Sequence, residues 1–372
     1  MPVESPHATW NHPLLGADGG TLLRLFSRHR VPPSMWPRVA AMLASAALRA
    51  PLGWIERARV AAATDPLADM PPPLFVLGHW RSGTTHLYNL LSRDPRFAWP
   101  DPVATGLPWN FLILGRALRP LLERALPESR LIDNVAVEPD SPQEDEIALA
   151  SMQSLSCYHA LYFPEDLGQL FEPGAFPDAA HPSSRLLARR TRRFRHYCRK
   201  LLLQAPDRRL LIKNPIHTGQ VAWLRSVFPN ARFVHIHRNP YVVHESTRKF
   251  YRRLLPAYAL QRFDAEAIEP FILDTYPRMH ERLYADVAGL PPSRFVEIAY
   301  DELDRRPIDC LRRIYRQLEL GDFDAVAPKV ERYLEGLLDY QRNPHRFCAA
   351  DLDRVERAWG AWIERWGYER PA

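Results

Sequence analysis

Fourteen residues from Gly78 to Leu91, GHWRSGTTHLYNLL, gather the residue types that hold a phosphate. They follow Leu74–Leu77, a short apolar run of the kind buried on both faces of a sheet. The chain must turn through Ser82 and Gly83 and begin a helix near Thr84. Such a turn aims free backbone N–H groups and the positive end of a helix dipole at one point. Thr84 and Thr85 add hydroxyl donors, and Arg81 adds a permanent charge with several N–H groups. As a plain alternative, the same residues are a Gly/Ser turn with Thr84 capping a helix.

The second set lies in LLIKNPIHTGQVAWLRSVFPNARFVHIHRNPYVVHES, Leu210 to Ser246. Lys213 closes an apolar run, where a charge is expensive to bury and is placed for a purpose. Arg238-Asn239-Pro240 stands at the end of another, the edge at which open α/β sheets bind ligands. Ser246 follows two turns into the next helix. His235 and His237 share one strand face and read as hydrogen-bonded core residues. Further titratable side chains stand in three places. They are the acids of SPQEDEIAL (Glu144, Asp145, Glu146), His217 after Asn214-Pro215, and Asp101 in WPDPV. Acids opening a helix also suit its dipole, so at least two of the first three read as charge decoration.

The elements that position these groups alternate. Strand-like runs recur at Leu74–Leu77, Arg209–Ile212, Arg232–Ile236 and Arg294–Ala299. Helical spacing fills Thr218–Phe228 and Ala265–Val287, the latter through Pro277. This order predicts an α/β fold, with a central parallel sheet flanked by helices in three layers. Residues 1–70 read as an N-terminal helical extension packed on a core domain, 71–372, with Pro71-Pro72-Pro73 as the stop between them. Val39–Val60 reads as a short amphipathic helical pair, and the tail from Asp324 to Trp366 as two helices around a loop at Asn343–Phe347. Packing is the expected role of the N-terminal helices, with peripheral membrane contact as the other reading.

Composition narrows the classes. The 372 residues are 46% hydrophobic and 25% charged, with net charge +6 and pI about 9.2, suited to a polyanionic small ligand. Cys157, Cys198, Cys310 and Cys348 form no CxxC pair, which points away from zinc or disulfides and towards the cytoplasm. No apolar run approaches the ~18–20 residues of a membrane span. Neither a secretory signal nor a nucleic-acid motif is expected, and oligomeric state is left open.

RSGTT after a strand resembles the 5′-phosphosulfate loop of sulfotransferases that use 3′-phosphoadenosine 5′-phosphosulfate (PAPS), especially the bacterial branch near the tyrosylprotein sulfotransferases. The resemblance implies that Arg81, Ser82, Gly83, Thr84 and Thr85 hold the 5′-phosphosulfate. It implies that Arg238 and Ser246 hold the 3′-phosphate, and that Lys213 stabilises the transferring group. VEIAYDELDRRP resembles the family's YEDL…P segment, whose tyrosine contacts adenine, here Tyr300. Cytosolic members place a catalytic histidine two residues after the lysine, where this chain has Pro215. Tyrosylprotein members use a glutamate after the loop helix. Bacterial members often carry a stretch like PQEDEFAL, so Glu144, His217 and Asp101 all stay candidates for the base.

The expected activity is sulfuryl transfer from PAPS to a hydroxyl or amine of a small-molecule or lipid-like acceptor, without a metal. Aromatic residues in Trp99–Leu122, Tyr158–Phe176 and the tail are expected to line the acceptor pocket. A P-loop kinase is the main alternative; it needs a lysine where GxxxxGK[ST] loops carry one and this chain has Thr84. A nucleotide-binding scaffold without catalysis is the other.

Overall fold

The computed structural model describes residues 12–125, 138–177, 184–264, 268–337 and 346–371. Five strands form one sheet: β1 (Leu74–Leu77), β2 (Phe97–Ala98), β3 (Arg209–Lys213), β4 (Arg232–His237) and β5 (Phe295–Ala299), in the order β2-β3-β1-β4-β5. β4 runs parallel to both neighbours, with Val76 level with Val234 and Val234 level with Val296. β1 is apolar and buried throughout, as expected of a strand covered on both faces. With helices between the strands, this is the α/β fold expected from the alternation.

The chain divides into two compact units, Met1–Pro71 with Ala98–Ile212 and Arg253–Asp264, and Pro72–Phe97 with Lys213–Arg252 and Ala265–Ala372. In the first, Trp36–Ala62 is one helix of 27 residues, not the expected pair. Pro51 removes an N–H that would bond the Ala47 carbonyl, yet both residues are exposed, so water can satisfy that oxygen. The buried stripe Met42, Ala46, Gly53, Glu56 and Val60 keeps helical spacing straight across the proline. Glu56 pairs with Lys200 in the interior and accepts the Ile113 N–H at 2.9 Å, which fixes the helix by a paired buried charge. Burial holds the Lys200 ammonium down at about 8 despite that partner. Leu14, Leu22, Leu25, Tyr162, Phe163 and Leu260 pack together, so the N-terminal helices share a core with later parts of this unit.

The second unit holds β1, β4 and β5 with the helices Thr84–Leu91, Ile268–Val287 and Ala349–Trp366. Trp359 is fully buried and stacks on Tyr276, with ring centroids 3.9 Å apart. Of the two tail helices expected, the structure has Ala327–Glu335 and Ala349–Trp366; Asn343 to His345 lie outside the described residues, as do 265–267.

Both units bury neutral histidines. His12 donates from Nε2 to the Tyr258 carbonyl at 3.0 Å and accepts the Leu14 N–H on Nδ1 at 3.1 Å, a pairing that a second proton would break. Burial holds His12, His159 and His79 each down at about 4. Their unfolded value is near 6.5, so the unfolded chain binds more protons between those limits. Stability is therefore full above pH 6.5 and falls as pH drops towards 4, by on the order of 3 kcal/mol for each histidine. Thermal melts should show a steep loss of Tm between pH 6.5 and 4.5; a flat Tm across that range would contradict the neutral burial.

Candidate functional site

Chain geometry at the end of β1 is set by two glycines with left-handed backbone. Gly78 has φ +146, and a Cβ there would lie 2.5 Å from the Ile236 carbonyl. Gly83, at φ +97, is the N-cap of the Thr84–Leu91 helix. Between them Ser82 folds back, its hydroxyl donating to the His79 carbonyl at 2.8 Å. The Gly78 N–H is taken by the Thr218 hydroxyl at 2.8 Å. Arg81, itself at φ +71, has a strained conformation for a residue with a Cβ, and strain of this kind is concentrated at working sites.

The second unit brings nearly all the cofactor candidates together. Arg81 donates from Nε to the Ser246 hydroxyl at 2.8 Å, tying the loop to the helix that follows β4. The Tyr300 ring lies so close to Gly83 that a Cβ there would meet it at 2.3 Å. The Arg238 guanidinium stacks over the same ring, 4.2 Å from its centroid. Lys213 is 1% exposed at the end of β3, and its ammonium donates to the Thr85 hydroxyl at 3.4 Å. Two arginines, a lysine, hydroxyls and a helix N-terminus thus gather at one loop. A ligand with separated anionic ends suits that chemistry.

The proton-acceptor candidates differ. His217 is fully buried in a 3-10 turn, Pro215–Gly219, with Nδ1 3.2 Å from the Gln220 side-chain oxygen and its ring edge-on to Phe75. The helix expected from Thr218 starts at Val221, because the Asn214 side chain accepts the Ile216 N–H and opens that turn first. Asp101, in the first unit, caps the Pro102–Gly106 helix by accepting the Ala104 N–H at 2.7 Å. Burial raises its pKa, and that N–H bond opposes the rise. In the same unit Glu144 is the N-cap residue of the Asp145–Met152 helix, but its side chain makes no cap bond; it accepts the Tyr158 hydroxyl instead. Asp145 and Glu146 are fully buried, so charge decoration of a solvated helix end is the wrong reading for both. Glu146 lies 4.0 Å from Arg190, which is buried as well.

One contribution was not read from the sequence. The chain end after Ala349–Trp366 turns at Gly367 (φ +64) and covers the residues around Arg238. Trp366 stacks flat on His237 at 4.6 Å, the Tyr368 hydroxyl bonds His237 Nδ1 at 2.9 Å, and Asn239 donates to the Glu369 carbonyl at 3.2 Å. Trp359, Trp362 and Trp366 on one helical face, followed by a glycine, carried that signal. His235, as expected of a core histidine, bonds the Glu297 carboxylate at 2.8 Å. Burial alone would raise Glu297, but His235 and Tyr284 hold it down at about 2.

Comparison with known proteins decides what kind of site this is. Residues 72–324 match the model of the Sulfotransferase family. The chain belongs to that family. A relative from Mycobacterium bovis, omega-hydroxy-beta-dihydromenaquinone-9 sulfotransferase Stf3, is 32% identical over 299 residues, 80% of this chain and 76% of that protein. Among solved structures, sulfotransferase STF9 from Mycobacterium avium matches with TM-score 0.65 at 19% identity, over 99% of this chain and 93% of that one. STF1 from Mycobacterium tuberculosis gives 0.63 at 18% identity, over 92% and 90%. These two share the fold. This sulfotransferase is therefore an enzyme of sulfuryl transfer, and PAPS-dependent transfer is the reading that its family supports over a kinase. Among the described residues no group of histidines, cysteines and acids is arranged to hold a metal, and no helix is long and apolar enough to cross a membrane.

Proposed function

We propose that this sulfotransferase moves the sulfuryl group of PAPS to a hydroxyl on a lipid-like acceptor, in the cytoplasm. The observation that carries the donor assignment is the convergence of Arg81 on Ser246 and of Arg238 and Gly83 on one Tyr300 ring. Arg81, Ser82, Gly83, Thr84 and Thr85 would hold the 5′-phosphosulfate, Arg238 and Ser246 the 3′-phosphate, and Tyr300 the adenine. PAPS supplies an activated sulfuryl group. Lys213 and Arg81 then stabilise charge at the transferring and leaving oxygens, and Glu144 takes the acceptor proton. For the acceptor, support comes from the hydroxylated menaquinone in the relative's name and from the aromatic segments Trp99–Leu122 and Tyr158–Phe176. For the compartment, support comes from the four cysteines, all unpaired.

Calorimetry with 3′-phosphoadenosine 5′-phosphate (PAP), in the presence of EDTA, tests the donor reading. The protein should bind PAP, and adenosine 5′-phosphate should bind about 10–100-fold more weakly, since Arg238 loses its anion. Arg238→Ala should erase most of that difference. Equal affinities for the two ligands in the wild type would overturn the 3′-phosphate assignment.

A further inference from the structure

The helix Trp36–Ala62 has an outward face of the wrong character for water. Every exposed position on it except Arg59 is apolar. Leu48 is 80% exposed, Trp54 63%, Trp36 62% and Ile55 46%, with alanines and Pro51 filling the spaces between. A surface helix normally places charged and polar residues opposite its buried stripe. Here the single acid of the helix, Glu56, is turned inward against Lys200. Large exposed apolar residues aligned on one face mark a surface made for a partner.

Charge shows which partner. Arg38 and Arg57 flank the stripe half-buried, and Arg59 interrupts it. Arg57, Arg24, Arg189 and Arg193 are near enough that, after burial, the other three depress the Arg193 guanidinium, with Asp18 as the opposing acid. We propose that this face lies on an anionic membrane surface, with Trp36, Leu48, Trp54 and Ile55 entering the headgroup layer and the arginines meeting lipid phosphates. Tryptophan and leucine beside arginine, on a helix about 40 Å long, is the composition of an in-plane interfacial helix. A second copy is a poorer fit. A two-fold contact would set the arginine rim of one copy against that of the other. The inference stands apart from the donor assignment. Combined with the acceptor reading, it gives the enzyme a route to a substrate that stays in the bilayer.

Flotation of the full chain with vesicles tests it. One set is phosphatidylcholine alone and the other contains one-quarter phosphatidylglycerol. The wild type should float with the anionic vesicles at least about tenfold more than with the neutral ones, and less as salt rises. The L48E/W54E variant should lose about tenfold or more of that binding, with Tm and PAP affinity unchanged, because both side chains stand in solvent. If the two glutamates lower Tm, L48Q/W54Q is measured in their place. Equal flotation of wild type and variant overturns the proposal. So does a wild type that stays off both vesicles, or one that forms a dimer broken by the same substitutions. A failure to bind PAP would leave the vesicle result as it stands.

Discussion

Lys213→Met is expected to cut turnover by about 10²–10³-fold while leaving the melting temperature equal or higher. The ammonium is 1% exposed, so its desolvation is a standing cost to folding, and methionine fills the space without that cost. The Thr85 hydroxyl at 3.4 Å is one of its partners. A charge held in that place is set to meet an anion. It gains most from the negative charge that grows on the transferring group, where loss of one such contact costs about 2.7–4 kcal/mol. Arg81→Ala should act alike on turnover, with a further loss of PAP affinity because the Nε bond to Ser246 goes too. Single-turnover release of PAP from labelled PAPS, with an ω-hydroxylated menaquinone as acceptor, reads both. Wild-type turnover in Lys213→Met together with a lower Tm would make the lysine a packing residue.

The parts of this site built from local sequence were legible, and the parts built by distant packing were not. Leu74–Leu77 is an uninterrupted apolar run, and the strand occupies those four residues. Gly83 stood where a helix must start, and the Thr84–Leu91 helix begins behind it. Lys213 and Arg238 sat at strand ends, where the chain itself fixes their direction. By contrast, Thr218 was read as a helix start, and its hydroxyl instead takes the Gly78 N–H across 140 residues of sequence. The acids before Ile147 looked like decoration because spacing reports a helix end and not what packs over it. The helical pair expected in Val39–Val60 is one helix, since the carbonyl that Pro51 leaves without an N–H lies on the exposed face. The tail over His237 needed the turn at Gly367, a single left-handed residue whose consequence lies more than a hundred positions back along the chain.

Glu144→Gln should reduce turnover by about 10²–10⁴-fold with PAP affinity unchanged, the mark of a lost general base. The choice of Glu144 rests on what each rival carboxylate or imidazole already does. Asp101 spends an oxygen on the Ala104 N–H, and His217 is fully buried beside Phe75. Glu144 makes no bond to its own helix and is held by the Tyr158 hydroxyl. Burial first, and then the Glu144 charge, push the Tyr158 phenol well above its usual value, so it stays protonated and keeps donating. That bond orients the carboxylate. Glutamine keeps an oxygen for Tyr158 but cannot accept the proton, so the variant should remain folded and bind PAP normally. Tyr158→Phe should cost less, about tenfold, because it removes the orientation and not the base. The rivals predict other patterns. If His217 were the base, His217→Gln would abolish turnover while Glu144→Gln stayed active. If Asp101 were, Asp101→Asn would do so with the cap at Ala104 retained. Near-normal rates in all three variants would leave the acceptor reacting without a protein base, and Lys213 and Arg81 would then carry the whole of the rate enhancement by position and charge.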